Sequence, residues 1–246
     1  MKKYLLTISL AFILTAADFA YARELFSDVD AGNPDFEAVD MIVNEYGIMS
    51  GFPNKTFKGS GSIDRYTYSV ILINTIELLN KRMQEIDQNK ILDTVPAISS
   101  ENLKYQNIAD LDKEHWAYTK SITLLKLGLI RTFSDNTFKG NKNVDYIGFA
   151  IGMGRLMKII YDDAPPVLKR KWQKEVIRNV QSIKGIPNDS PVFEPLKLAI
   201  ENNIIETKPG NALTKDINRY DAANSLNRLI NKLDELRKYI VFTKIG

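Results

Sequence analysis

Apolar residues recur at spacings of three and four in three long segments of the chain, and this pattern predicts three amphipathic helices that each bury one face. A shorter periodic stretch precedes each of them and stops at Gly47, Gly128 or Asn203. Glycine and asparagine accept the left-handed conformation found just past a helix end. The predicted buried faces of the long helices are Tyr68, Ile71, Leu72, Thr75, Ile76 and Leu79; Phe149, Met153, Leu156 and Ile160; and Ala222, Leu226, Leu229 and Leu233.

These segments belong to an internal repeat of a short helix, a turn, an irregular loop and a second helix. The first copy opens with FSDV and contains GFPNKTF, the second opens with YQNI and contains TFSDNTF, and the third is weaker. One such unit cannot bury its apolar face alone, so the copies are expected to pack together. We assign residues 23–95 and 96–182 to two units, each with a charged helical connector, and 183–246 to a degenerate third unit with a C-terminal helix.

Residues 1–22 have the pattern of a secretory signal peptide. Lys2 and Lys3 precede the apolar run LLTISLAFIL, and Ala20-Tyr21-Ala22 offers a small-residue cleavage site. An uncleaved membrane anchor is the alternative, although the run is shorter than the roughly 20 residues that span a bilayer. No later segment is long and apolar enough to span one. The protein is therefore expected to be exported, with no transmembrane segment after signal removal.

Composition narrows the function classes. The chain is 44% hydrophobic and 26% charged, as ordinary globular proteins are. Removing the signal takes away two lysines and one aspartate, which lowers the net charge from +3 to +2. So small an excess argues against a nucleic-acid partner. The absence of cysteine excludes disulfides, thiolate metal sites and a lipid-modified cysteine.

Neither a catalytic group nor a cofactor is predicted. His115 is the only histidine, so it has no second histidine with which to form a metal pair or a convincing nucleophile–base arrangement. Asp28, Asp30 and Asp35 lie close together but lack the regular spacing of a calcium loop. The text GFAIGMGR in the second long helix superficially matches a phosphate loop, yet it follows no strand, and its glycines fit close helix packing.

The motifs FSDV, HWA, a helix that ends in glycine, GFPNKTF and IDRY resemble those of the S-layer homology module, in three copies of which the third is degenerate. The resemblance implies a mainly α fold, in which three helix–loop–helix units form a pseudo-threefold bundle with a central three-helix core. It also implies a non-enzymatic role in the cell wall, S-layer or periplasm. Family members bind cell-wall polysaccharide, or polymers attached to peptidoglycan, in grooves between units. Some of these polymers carry a pyruvate ketal whose carboxylate is held by an arginine.

Carried over by motif position, that arginine is Arg65 in the first unit and Arg219 in the third, whereas the second unit has Tyr146. Ser62 or Asp64 can cap the helix that follows, and the arginine fork can bind a carboxylate there. The loop that begins at Gly51 and Phe52 is expected to reach the same groove as Arg65. The alternative for both arginines is a surface ion pair with Asp64 or Asp221.

Aromatic residues are the other candidates for sugar contact. Trp116 either lines a groove and stacks on a sugar or wedges the short helix against the core, and Phe52 and Phe133 are placed at the groove rim or inside. Phe57, Phe138 and Leu213 are expected to anchor loops in the core, Tyr146 to pack in a degraded groove, and Trp172 to pack against the bundle.

A second class of function stays open. The chain is alternatively an envelope assembly protein whose charged connectors or C-terminal helix, LNRLINKLDELRKYI, recruit another envelope protein. The distinguishing feature is whether Arg65 points into a polar groove. A wall-active enzyme is set aside, because enzymes of the family carry a separate catalytic domain. The identity of the polymer is not predicted.

Overall fold

Seven α-helices form the frame of the part of the chain that the structure describes, a computed structural model of residues 26–84, 108–163, 166–174, 179–206 and 213–245. Within these ranges the remaining pairing consists of isolated β-bridges, so the chain is mainly α, as predicted. The assigned signal peptide and much of the first connector lie outside the described residues. The helices are α1 (Phe36–Asp40), which continues as a π-helical turn (Met41–Glu45), α2 (Arg65–Gln84), α3 (Tyr118–Lys126), α4 (Tyr146–Asp163), α5 (Pro166–Lys174), α6 (Phe193–Glu201) and α7 (Arg219–Ile245).

The short helices end where the sequence predicted. Gly47, Gly128 and Asn203 have φ values of 63°, 68° and 57°, the left-handed conformation that reverses the chain after a helix. The loops that follow are alike in the first two units. In both, lysine or asparagine occupies positive φ at matched positions: Lys55 and Lys58 in the first loop (residues 48–61), and Asn136 and Lys139 in the second loop (residues 129–142).

Each long helix starts with a side-chain cap. Asp64, Asp145 and Asn218 each accept a hydrogen bond through Oδ1 from the amide three residues later, at 2.7, 2.7 and 2.8 Å. A short oxygen-bearing side chain at this position satisfies an amide that has no partner inside the helix. Of the two capping residues that the sequence offered for α2, the structure therefore uses Asp64.

Backbone hydrogen bonds join the three helix starts in a closed ring. The amide of Arg65 donates to Lys142 in the second unit (3.1 Å), that of Tyr146 donates to Lys215 in the third (3.0 Å), and that of Arg219 donates to Gly61 in the first (3.0 Å). Three β-bridges repeat the same order, pairing 64 with 143, 145 with 216 and 62 with 218. Every unit is thus bonded to both of the others.

The helices pack in the same cyclic order, since α2 lies against α3, α4 against α6, and α7 against α1. The predicted apolar faces are buried, apart from Ile160, which is half-buried. The α4 glycines are where the chain comes closest to itself. A Cβ on Gly152 would lie 2.1 Å from the Tyr68 hydroxyl of α2, and one on Gly154 would lie 1.7 Å from the Pro195 carbonyl of α6. The expected role of these glycines in close packing is confirmed.

The second connector contributes to the core through one aromatic side chain. Trp172 of α5 is buried, and its indole Nε1 donates to Asn202 Oδ1 at 2.8 Å. Its ring meets Tyr161 of α4 edge to face. The prediction that Trp172 packs against the bundle is confirmed.

The α4–α6 contact leads to a stability prediction. Gly154→Ala should lower the free energy of unfolding by about 1–3 kcal/mol, because the new methyl group meets a backbone carbonyl that can move only with α6. Helix propensity alone would favour alanine. Denaturant unfolding measures the difference.

Gly148→Ala is the matched control in the same helix. The corresponding positions in α2 and α7 hold Thr67 and Asp221, which have a Cβ beside an equivalent cap. Gly148→Ala should therefore leave the free energy of unfolding almost unchanged. Equal stability of the two variants would contradict the close-packing role assigned to Gly154.

Candidate functional site

Arg219 reaches from the start of α7 into the loop of the first unit. Its Nε donates to the Phe57 carbonyl at 2.7 Å, and a terminal nitrogen donates to the Ser50 carbonyl at 2.6 Å. The guanidinium carbon lies 5.0 Å from the Phe52 ring centre and 4.4 Å from that of Phe57. These two bonds use two of the five N–H donors that a guanidinium carries.

Although Arg219 is only 7% exposed, it contributes to the wall of an open cavity of about 270 Å³. The described residues that line this cavity include one cation, Arg219, and no carboxylate. Burial lowers the pKa of the guanidinium, and the nearby Asp28 carboxylate opposes that shift. Arginine remains protonated in either case, so the cavity has a fixed positive charge in its wall.

Aromatic side chains from two units face the same cavity. Trp116, from the second unit, is 66% exposed, and Phe52, from the first loop, is 38% exposed. Trp116 therefore lies in a groove, which is the first of the two placements that the sequence allowed. It stands next to His115, which stacks on Tyr66 with ring centres 3.9 Å apart and accepts the Ala117 amide hydrogen bond through Nδ1.

Polar groups complete the lining. Asn74 of α2 donates to the Ile48 carbonyl at 3.0 Å and accepts a hydrogen bond from Lys120 of α3 at 2.6 Å. Gly51 contributes backbone only, because a Cβ there would lie 2.1 Å from the Phe26 ring. The cavity, which we call the first groove, thus combines amide, hydroxyl and guanidinium donors with an exposed indole face.

Arg65 does not belong to the first groove, so the expected grouping of Arg65 with Gly51 and Phe52 is wrong. Its side chain reaches the second loop, where Nε donates to the Phe138 carbonyl and a terminal nitrogen to the Arg131 carbonyl, each at 2.7 Å. The guanidinium carbon lies 4.8 Å from both the Phe133 and the Phe138 ring centres. Arg65 therefore makes with the second loop the contacts that Arg219 makes with the first.

The alternative of a surface ion pair is also wrong for both arginines. Neither Arg65 nor Arg219 bonds to Asp64 or Asp221 in the described structure; both bond to backbone carbonyls. Asp64 caps α2, so its carboxylate fixes the helix start from which Arg65 extends and is not a free acceptor in the groove. Asp221 accepts a hydrogen bond from the Tyr146 hydroxyl.

Two aspartates hold the loops in shape, a role that the sequence alone did not predict. The Asp28 carboxylate accepts hydrogen bonds from the amides of Phe57 (2.7 Å) and Lys58 (2.8 Å), and Asp110 does the same for Phe138 (2.6 Å) and Lys139 (2.7 Å). Lys58 and Lys139 both have positive φ, so the carboxylates secure a strained turn. The aspartate of the FSDV motif is the signal for this role in the sequence.

The third unit lacks the aspartate, and Tyr146 of the second unit stands where an arginine would face its loop. Ile183 and Ile186 form the bridge that Phe26 and Val29 form in the first unit, which places Gly185 where Asp28 stands. Tyr146 is buried as expected, and burial together with the Asp221 carboxylate raises its hydroxyl pKa. Phe57 and Phe138 are fully buried loop anchors, Leu213 is partly buried, and Phe133 is half-buried.

The described residues include no group of three or more histidine, aspartate or glutamate side chains that could hold a metal ion. They also include no helix with the length and apolar character required to cross a membrane.

Similarity to a known domain family is found around the two loops that have both an aspartate and an arginine partner. The S-layer homology domain matches the chain over residues 25–65 and 107–149. These segments hold the first and second loops and Arg65, whereas Arg219 and the third unit lie outside both. The predicted resemblance is thus confirmed for two units and is not shown for the third.

Outer membrane protein SlpA of Thermus thermophilus is 34% identical over 104 residues, which make up 42% of this chain and 11% of that protein. A second SlpA sequence from the same organism gives the same figures. The match therefore covers only a small part of the length of these relatives.

The loop aspartates lead to a prediction about order in the groove. Asp28→Ala should accelerate amide hydrogen exchange at Phe57 and Lys58 and lower the free energy of unfolding by about 1–2 kcal/mol, a modest value because the carboxylate is exposed. Exchange measured by NMR tests both amides directly.

Glu45→Ala removes an exposed carboxylate from the same unit and serves as the control. Unchanged exchange at Phe57 and Lys58 in Asp28→Ala would contradict the role assigned to the carboxylate.

Proposed function

We propose that this chain is a non-catalytic cell-envelope protein that binds an anionic cell-wall polysaccharide through the first groove. The observation that carries the proposal is the pairing, in one cavity without a lining carboxylate, of the buried Arg219 guanidinium with the exposed Trp116 indole. An aromatic face suits the apolar side of a sugar ring, and the guanidinium suits a carboxylate on that sugar. Peptidoglycan-attached polymers that carry a pyruvate ketal supply both features.

The roles proposed for the predicted site residues follow from their positions. Arg219 attracts the acid group, Trp116 and Phe52 contact the sugar, and Gly51 lets the chain approach the ligand closely. Arg65 holds the matching position at the second loop, and Asp64 orients it. By repeat position, Pro191 of the third unit corresponds to Trp116, so the second loop has no matching indole and the first groove is the principal sugar site.

The cyclic contacts support a pseudo-threefold bundle of three units, including the degenerate third. In that arrangement α2, α4 and α7 form the central core, and each groove lies between two units. We keep the unit boundaries 23–95, 96–182 and 183–246 as part of this proposal. They assign the loop and the arginine of the first groove to different units, so the groove exists only in the assembled bundle.

The similarity to an outer membrane protein supports an envelope location. We propose that residues 1–22 direct export and that the remaining chain is associated with peptidoglycan in the periplasm or wall. A role purely in assembly is less well supported, because the apolar positions of α7 from Leu226 to Leu233 are buried in the core. These positions leave no apolar seam for a partner helix.

Co-sedimentation with peptidoglycan sacculi from the source organism tests the function, before and after chemical removal of the attached polymer. The unmodified protein should sediment only with intact sacculi. Trp116→Ala should weaken binding by about tenfold, corresponding to about 1.4 kcal/mol. Because the indole is largely exposed, this change should leave folding intact. Arg219→Lys should also weaken binding, because lysine keeps the charge but loses the planar fork.

Lys184→Gln, an exposed change in the third unit, is the control and should bind like the unmodified protein. Full binding by Trp116→Ala and Arg219→Lys would move the site away from the first groove. Equal binding to stripped sacculi would contradict recognition of the attached polymer, and no binding to either would favour the assembly role.

A further inference from the structure

Three positions around the second loop gain a cation relative to their counterparts at the first. Arg131 stands where the first loop has Ser50, and Lys142 stands where it has Gly61. Arg155 of α4 replaces Asn74 of α2 and makes the same type of contact, donating to the Leu129 carbonyl at 3.0 Å. Asp135 and Asn136 replace Asn54 and Lys55 at the loop tip, so the two versions of the groove differ in where their charges lie.

These cations lie near two others, Lys139 and Arg65, whose counterparts at the first loop are Lys58 and Arg219. Around the half-buried Phe133 ring lie the Arg65 guanidinium carbon (4.8 Å), Lys139 Nζ (4.6 Å) and Lys142 Nζ (4.9 Å). Arg131 and Arg155 lie on the same side, since Arg65 donates to the Arg131 carbonyl and Arg155 donates to the carbonyl of Leu129, two residues earlier. We call Arg65, Arg131, Lys139, Lys142 and Arg155 the basic cluster.

The neighbouring carboxylates offset only part of the charge of this cluster. Asp110 accepts the loop amides of Phe138 and Lys139, and Asp135 forms an ion pair with Lys139 at 2.8 Å. Among the described residues, Arg65, Arg131, Lys142 and Arg155 form no ion pair with a carboxylate. Holding several like charges around one ring is unfavourable in the empty protein, and a bound anion relieves that repulsion.

The two grooves should therefore prefer different anions. The first has an exposed indole and two cations at the Phe52 ring, Arg219 and Lys58, which suit a sugar carrying one carboxylate. The second has Pro191 in place of Trp116 and several cations, three of them arginines. Arginine forks match the geometry of phosphate oxygens, and a dianion gains more than a monocarboxylate from so many charges.

We propose that the basic cluster is a second binding site, which takes a phosphate ester carried by a polysaccharide rather than a carboxylate. The large hydrophobic side chains that are exposed in the described structure, Phe52 and Trp116, both lie at the first groove. The basic cluster thus has no such side chain to enter a membrane, which favours a polymer phosphate over a lipid headgroup. The identity of the carrier as wall polymer rests on the proposed function.

Titration of the isotope-labelled protein with pyrophosphate and, separately, with pyruvate tests the site at fixed ionic strength. Pyrophosphate should shift the backbone amide signals of Arg131, Phe133 and Lys139 saturably. It should bind there about tenfold more tightly than pyruvate does, because more charges are engaged. Shifts confined to Ser50 and Phe52, or equal affinity for the two anions, would overturn the proposal.

A double variant and a matched control separate the cluster from overall charge. Arg131→Gln/Lys142→Gln removes two exposed cations of the cluster and should weaken pyrophosphate binding by about tenfold. Lys174→Gln/Lys184→Gln removes two exposed cations elsewhere and should bind like the unmodified protein. Equal loss in both variants, or no loss in the first, would overturn the assignment.

Two further arms identify the source of the phosphate and separate this inference from the proposed function. Phosphatidylcholine vesicles with phosphatidic acid should sediment no more protein than vesicles without it; sedimentation that depends on Arg131 and Lys142 would overturn the polymer assignment in favour of a lipid. If the protein does not bind pyrophosphate but still sediments with sacculi, and this sedimentation depends on Trp116, only this inference is overturned. Pyrophosphate binding without sacculus binding would support the site and overturn the proposed function alone.

Discussion

Each long helix of this protein begins by bonding to a loop of another unit, and that constraint organises the rest of the molecule. The first amides of a helix have no acceptor inside it. Here a side-chain cap satisfies one of them, and carbonyls of the neighbouring unit accept others. The same approach carries Arg219 and Arg65 into loops from which they are distant in sequence. The grooves are therefore a consequence of how the helices begin, and their geometry depends on the joints between units.

Local chemistry made much of the fold predictable. The helix ends at Gly47, Gly128 and Asn203, the cap at Asp64 and the buried faces of the long helices all follow from side chains near one another in sequence. Periodicity and backbone preference act over a few residues, so a single sequence is enough to reveal them.

The composition of the site was less predictable, for a physical reason. Gly51, Phe52 and Arg65 are close in sequence and were assigned to one groove, yet the loop and the arginine of each unit point to opposite neighbours. Pairing across units depends on the direction in which the ring closes, and no local preference encodes that direction. Trp116 could likewise be placed only once the second unit was seen beside the first loop. Asp28 was visible in the sequence, but its amide partners lie in the loop and were not apparent.

The third unit shows that the parts of a groove are lost together. A carboxylate secures the amides of the first and second loops, and an arginine secures their carbonyls. Where Gly185 replaces the aspartate, Tyr146 replaces the arginine that would face that loop. At this joint, side chains bond to each other instead of to the loop backbone: Tyr146 bonds to Asp221, and Arg228 bonds to Glu206. The two loops that keep the aspartate therefore also keep an arginine partner, whereas the third joint has neither.

The closed ring of joints also determines how such a protein can evolve. In an open array of repeats, each new copy stacks on the last, and only the ends need special surfaces. Here the third unit donates back to the first, so inserting or deleting one copy would leave a helix start without its acceptors. A change in the number of copies therefore has a structural cost that a substitution within one copy does not.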